Sequence, residues 1–192
     1  MLTYNEIKDK YGHRASWAIW KKRDPSKKAK FGIGDISFFD FPEDLHFNPN
    51  IILCGLNISR KIEKPFANFH SEYSTAHDYK IRFATEDSIF TGAYMTDVIK
   101  DFEEVMSGKV IKYLDNNPNV KMENIKSFEK ELQDIGSTKP IIIAFGNDCE
   151  KILQKELKEK YNIYKVPHYS SCISKEKLRD KFNEISKLLL KI

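Results

Sequence analysis

The chain has 192 residues, of which 41% are hydrophobic and 12% are aromatic, a composition that excludes an intrinsically disordered protein. No apolar run approaches the ~18 residues that a membrane-spanning helix requires, so we expect no membrane partner. The formal net charge of +4 permits nucleic-acid binding, but a lysine-rich solvated surface explains it equally well.

The cysteines indicate a reducing compartment. Cys54, Cys149 and Cys172 are odd in number and widely spaced, which favours free thiols and matches no zinc or iron–sulfur spacing. The N-terminal residues lack the apolar core of a secretory signal peptide. We therefore expect a cytoplasmic protein with neither a metal centre nor a cofactor.

We expect one domain, with an N-terminal elaboration of helices and loops over 1–49 and an α/β core over 50–192. Trp17 and Trp20 are three positions apart, which predicts that they share one face of a helix. Basic residues then cluster at 21–30. A solvated loop is the favoured interpretation of this cluster, and a phosphate-binding arm is the alternative.

The core alternates predicted strands with predicted helices. Buried strands are predicted over 50–56, 92–100, 139–147 and 162–166. Helices are predicted over 78–90, 121–135, 149–160 and 174–190, with a further short helix or strand over 108–117. This order predicts a three-layer α/β/α sandwich built on a four-stranded parallel sheet. The long loop at 57–77 is of a kind that is often functional.

Polar residues follow two of the predicted strands directly. Asn57 comes after the first strand and His168 after the fourth. In a parallel α/β sheet all strand C-termini lie on one edge, and ligands bind in the crevice there. We therefore expect Asn57 and His168 to face each other across a single cleft.

Three strand ends resemble motifs of the uracil-DNA glycosylase superfamily, and the resemblance covers roughly residues 50–190. GLNIS at 55–59 resembles the first motif, Gly-x-Asn/Asp-Pro. YMTDVIK at 94–100 resembles the second strand, which often ends Thr-Asn-x-x-Lys. HYSS at 168–171 resembles the second motif, His-Pro-Ser. The resemblance implies a uracil-DNA glycosylase-like fold and a DNA repair activity.

The implied reaction is hydrolysis of the N-glycosidic bond of a base that is flipped out of DNA into a pocket. Asn57 would position the attacking water. His168 would donate a hydrogen bond to the departing base, as an oxyanion hole does. An aromatic residue after the first motif would stack on the base, and Phe66, Phe69 and His70 are the candidates.

Asp97 stands where the family carries an asparagine that reads uracil. An ionised carboxylate only accepts hydrogen bonds, so Asp97 suits a base with an exocyclic amine better than uracil. The alternative is that Asp97 caps a helix beginning near Lys100. Gly55 and Ser59 complete the expected base-binding residues.

Ser170, Ser171 and Lys175 are expected to hold a DNA phosphate at the start of the last helix. Two other functions remain open. One is a catalytically inactive module that binds nucleic acid or a nucleotide in the same cleft. The substitutions at Ile58, Asp97 and Tyr169 favour it, since Ile58 and Tyr169 replace the two motif prolines and Asp97 replaces the asparagine. The other is an unrelated flavodoxin-type nucleotide-binding protein, although the segment after the first strand is not glycine-rich.

Ile173 is the apolar residue available between His168 and the last helix. A glycosylase that acts on duplex DNA needs an apolar side chain there to fill the vacated stack, and only Ile173 is available. A single-stranded or mononucleotide ligand would not need this wedge.

Overall fold

The computed structural model describes residues 1–100 and 102–190. Its helices are α1 (Tyr4–Tyr11), α2 (Tyr79–Thr85), α3 (Ser107–Asn116), α4 (Pro118–Asp134), α5 (Asn147–Leu157) and α6 (Lys175–Leu189). Its strands are β1 (Ser16–Trp17), β2 (Asn48–Asn57), β3 (Ala93–Ile99), β4 (Ile141–Phe145) and β5 (Asn162–Val166). Among the described helices, none is long and apolar enough to cross a membrane.

The sheet has five strands in the order β1-β3-β2-β4-β5 and is mixed. The α/β class is confirmed, and β2 to β5 are parallel, but β1 runs antiparallel to β3. The prediction of a four-stranded, wholly parallel sheet is therefore corrected. The predicted helix through Trp17 is also wrong, because this residue pairs with the edge of β3 and its ring lies 4.8 Å from that of Tyr94.

Alternate residues of the strands face two separate hydrophobic cores. Ile52 and Cys54 point into a core shared with α1, α3, α4 and α5. Ile51 and Leu53 point into a second core shared with α2 and α6. Because side chains alternate across a strand, near-continuous apolar runs place helices on both sides of the sheet.

A buried ion pair joins α4 to the end of β3. Lys100 Nζ lies 2.7 Å from Glu131 Oε2, and both side chains are 1% exposed. Tyr94 and Thr96 each donate a hydroxyl hydrogen bond to Glu131 Oε1 at 2.8 Å. These bonds offset part of the desolvation that a buried carboxylate incurs.

The segment 58–78 contains no helix or strand and crosses the C-terminal edge of the sheet. It is held by the N-terminal region, since the Phe66 N–H donates to the Gly12 carbonyl and the Ser16 hydroxyl to the Phe66 carbonyl, both at 2.7 Å. The helix that follows it ends at Thr85, five residues earlier than predicted. The N-terminal region thus positions the loop that covers the strand ends.

Candidate functional site

A cavity of about 890 Å³ opens where the parallel strands end. It lies between the loop 58–78, the loop before α3 and the turn after β5. Most of the predicted site residues line it: Gly55, Asn57, Ser59, Phe69, His70, Asp97, His168 and Ser170. Strand ends and loops that are far apart in sequence therefore meet around one space.

Asp97 is fixed in the cavity wall beside Gly55, its neighbour in the parallel register of β2 and β3. A Cβ atom at residue 55 would lie 2.2 Å from Asp97 Oδ1, so only glycine leaves room for this carboxyl. Asn68 Nδ2 donates to Asp97 Oδ2 at 2.9 Å. The helix-cap alternative for Asp97 is wrong, because the next helix begins at Ser107.

Burial raises the pKa of two carboxyl groups in the cavity wall. Burial raises the pKa of Asp97 to about 6, although the hydrogen bond from Asn68 and the charge of Lys100 lower it. Burial likewise raises the pKa of Asp78 to about 6, against the hydrogen bond from the Ser71 backbone. The sequence did not reveal Asp78 as a site residue, because an aspartate at the start of a helix is usually a cap.

The hydrogen bonds of His168 determine its tautomer. The Ser170 backbone N–H donates to His168 Nδ1 at 3.2 Å, and Ser170 Oγ lies 2.7 Å from the same nitrogen. A backbone N–H can only donate, so Nδ1 is unprotonated and the proton of the neutral ring is on Nε2. Burial lowers the pKa of His168, which favours this neutral form. The ring therefore offers an Nε2–H donor that no described residue accepts.

Neighbouring groups hold the His168 ring in place. Tyr169 stacks on it with ring centroids 4.5 Å apart. Gly146, at the end of β4, has a φ of 85°, and a Cβ atom there would lie 3.3 Å from His168 Cβ. This left-handed backbone favours glycine, which lets the turn after β5 pack closely against β4.

Asn57, the last residue of β2, is anchored through its amide nitrogen. Nδ2 donates to the carbonyls of Phe102 and Glu104 at 2.8 Å each and lies 3.0 Å from that of Ile58. These carbonyls use both amide hydrogens, so Oδ1 is the only group left, and it only accepts. Asn57 can therefore position a water molecule but cannot take a proton from it.

Phe69 supplies an aromatic wall to the cavity. Its ring centroid lies 6.4 Å from that of Phe145 and 6.2 Å from that of Tyr169. Its φ of 63° is left-handed, a conformation that costs a non-glycine residue about 1–3 kcal/mol and persists only where the surroundings impose it. Asn68 contributes by accepting the Phe69 N–H through Oδ1 at 3.1 Å. Asn68 therefore hydrogen-bonds to both Phe69 and Asp97, a role that the sequence did not reveal.

The other two aromatic candidates have packing roles. Phe66 is completely buried in the core shared with α1, α3, α4 and α5 and does not line the cavity. His70 is buried, with its ring 5.0 Å from Trp20 and 5.7 Å from Phe39, and its Nε2 lies 3.3 Å from the Trp17 carbonyl. Burial lowers the pKa of His70 to about 4, so it is neutral at pH 7.

Of the three predicted phosphate-binding residues, Ser170 lines the cavity, and Ser171 and Lys175 do not. Ser170 bonds to His168, and the Ser171 carbonyl accepts from Lys80 Nζ at 3.1 Å. The Lys175 ammonium pairs with Glu176. Exposed Ser59, in contrast, lines the cavity.

Among the described residues, no three His, Cys, Asp or Glu side chains are grouped to hold a metal ion. No family model, curated protein or solved structure matches the chain.

Proposed function

We propose that the cavity binds a nucleobase and that the protein is a divergent, uracil-DNA glycosylase-like hydrolase of the N-glycosidic bond. The main support for this proposal is that one cavity contains both a fixed hydrogen-bond donor and a fixed hydrogen-bond acceptor. His168 presents a donor from a neutral ring, and Asn57 presents only an acceptor. A leaving base that gains negative charge is stabilised by a fixed donor, and the water that attacks the sugar is oriented by a fixed acceptor.

The cavity wall also supports recognition of a base. Phe69 offers an aromatic face on which a planar ring can stack. With a pKa of about 6, the Asp97 carboxyl is mostly ionised at pH 7 and accepts hydrogen bonds. This favours a base with an exocyclic amine, such as cytosine or a purine derivative, over uracil.

A second function, nucleotide binding without cleavage, is favoured by one observation on Asn57. Its amide nitrogen is used by the loop before α3, so the residue cannot act as a base. Hydrolysis would then depend on the positioning of water alone, whereas binding needs only the stacking ring, the carboxylate and the histidine.

An excision assay tests the proposal. Single- and double-stranded oligonucleotides with one uracil, hypoxanthine, xanthine or mismatched cytosine are incubated with the protein and then cleaved with alkali. We expect cutting at a base with an exocyclic amine, and a loss of about 10²–10³ in rate for His168→Phe, which keeps the ring but removes the donor. Asn57→Ala is also expected to lose activity. Asn183→Ala, at an exposed position of α6 outside the cavity lining, is the matched control.

If nothing is cut, the melting temperature is measured with added nucleotides. A rise that His168→Phe abolishes would assign the protein to the binding function. The absence of both cutting and stabilisation would refute a nucleobase cavity.

A further inference from the structure

Positive charge is concentrated in one stretch of the chain, residues 21–31, here called the basic segment. It holds six Lys and Arg residues and one acid, Asp24, which is a net charge of +5. Since the whole chain carries +4, all other residues together carry −1. An evenly spread, lysine-rich surface does not describe this distribution.

The basic segment has a fixed backbone path. The guanidinium of Arg82, a buried residue of α2, donates to the Ala29 carbonyl at 2.6 Å and to the Phe31 carbonyl at 3.1 Å. Three lysines of the segment are exposed and form no ion pair with a described residue: Lys22, Lys27 and Lys28. Lys21 pairs with Asp35 at 2.6 Å and Arg23 with Glu86 at 3.8 Å. The backbone of the segment is therefore fixed, and the charges of Lys22, Lys27 and Lys28 are available to a ligand.

The basic segment continues to the cavity mouth. Lys30 donates to the carbonyl of Ser74. The adjacent Tyr73 lines the cavity, and the Arg60 guanidinium lies 4.4 Å from its ring centroid. The positive charges of Lys30 and Arg60 both lower the pKa of Asp78 in the cavity wall. A positively charged path thus connects the segment with the cavity.

Two exposed aromatic rings lie along this path. Phe31 is 62% exposed and Tyr73 is 60% exposed. Lys27 Nζ lies 5.9 Å from the Phe31 ring centroid, so each ring has a cation beside it. Proteins bind single strands in this way, because bases stack on aromatic faces while cations meet the phosphates. A duplex hides its base faces, and a lipid headgroup has none.

We propose that the basic segment, with Tyr73 and Arg60, forms a binding track for single-stranded nucleic acid that leads to the cavity. The role of the track as an approach to the cavity rests on the proposed function, whereas strand binding does not. Ile173 supports a single-stranded ligand. This residue is partly buried against the core shared with α2 and α6, which leaves less of its side chain to fill a vacated stack in a duplex.

The test is fluorescence anisotropy over a salt series. The probes are a labelled mixed-sequence DNA strand, the same strand as a duplex, and vesicles of phosphatidylcholine and phosphatidylserine. The variant Lys27→Gln/Lys28→Gln removes two charges from the track. The matched control, Lys126→Gln/Lys155→Gln, removes two exposed charges from α4 and α5.

Each phosphate contact with a single strand contributes about 0.7 to the slope of log Kd against log salt. We expect Lys27→Gln/Lys28→Gln to reduce this slope by about 1.4 and the control to leave it unchanged. Phe31→Ala is expected to raise Kd by about fivefold or more at an unchanged slope, because a stacking face is lost but no charge is.

Four results would each overturn the proposal. The first is that the strand does not bind at up to ~100 µM protein and ~50 mM salt, and the second is that both lysine variants change the slope equally. The third is that the duplex binds as tightly as the strand, and the fourth is that the protein binds only the vesicles. Stabilisation by a free nucleotide separates this test from that of the cavity. Lys27→Gln/Lys28→Gln, whose lysines do not line the cavity, should weaken strand binding and leave that stabilisation unchanged, whereas His168→Phe should remove it, so either proposal can fail alone.

Discussion

Replacing Asp97 with asparagine is expected to stabilise the protein at neutral pH. The residue is only 4% exposed, and burial raises the pKa of its carboxyl from 3.8 to about 6. Holding the ionised carboxylate in the fold therefore costs free energy. Asparagine has almost the same shape, still accepts from Asn68 and carries no charge.

The sign of the pH effect follows from proton binding. The unfolded chain loses the Asp97 proton near a pKa of 3.8, whereas the native protein keeps it up to about 6. Between these values the native state binds more protons, so the free energy of unfolding falls as the pH rises. At ~1.4 kcal/mol per pKa unit, the loss amounts to about 3 kcal/mol above pH 6.

Urea unfolding of the wild type and Asp97→Asn between about pH 4 and pH 8 measures this effect. The stability of the variant relative to the wild type should grow by about 3 kcal/mol up to neutral pH and then stay constant. Exposed Asp180→Asn is the control and should show no such trend. A difference that is constant, or that shrinks as the pH rises, would refute the conclusion that the enclosed carboxylate is destabilising.

Three further predictions concern residues around the cavity. Gly55→Ala is expected to lower the free energy of unfolding in urea by about 1–3 kcal/mol, because the new Cβ atom would clash with Asp97 Oδ1. An equal loss in an Asp97→Ala background would contradict this steric cause. Lys100→Met is expected to cost about 3–5 kcal/mol because Glu131 then stays buried without its cation. Adding Glu131→Gln should restore most of that loss in the same denaturation assay, and no recovery would count against the pairing. Asn57→Ala is expected to speed amide hydrogen exchange in the described residues just before α3, since its amide holds two carbonyls there; unchanged exchange would show that the anchor is dispensable.

The sequence alone determined the central strands and the helices that follow them. Runs such as 141–145 are apolar at every position, and helices such as α6 repeat their apolar residues with helical spacing. Local signals were also sufficient at some boundaries, since Ser174 accepts from the Lys177 N–H as an N-cap residue does. These features depend on neighbours within a few residues, so their pattern is visible in the chain.

Tertiary structure decided the fifth strand and the detail of the cavity. Ser16–Trp17 is too short to show a period, and it becomes a strand only because the edge of β3 is there to pair with it. The enclosure of Asp97 depends on Gly55 and Asn68, which are distant in sequence and meet only when β2, β3 and the loop 58–78 pack together. Burial, which shifts the pKa of this carboxyl, is a property of that packing and not of the local sequence.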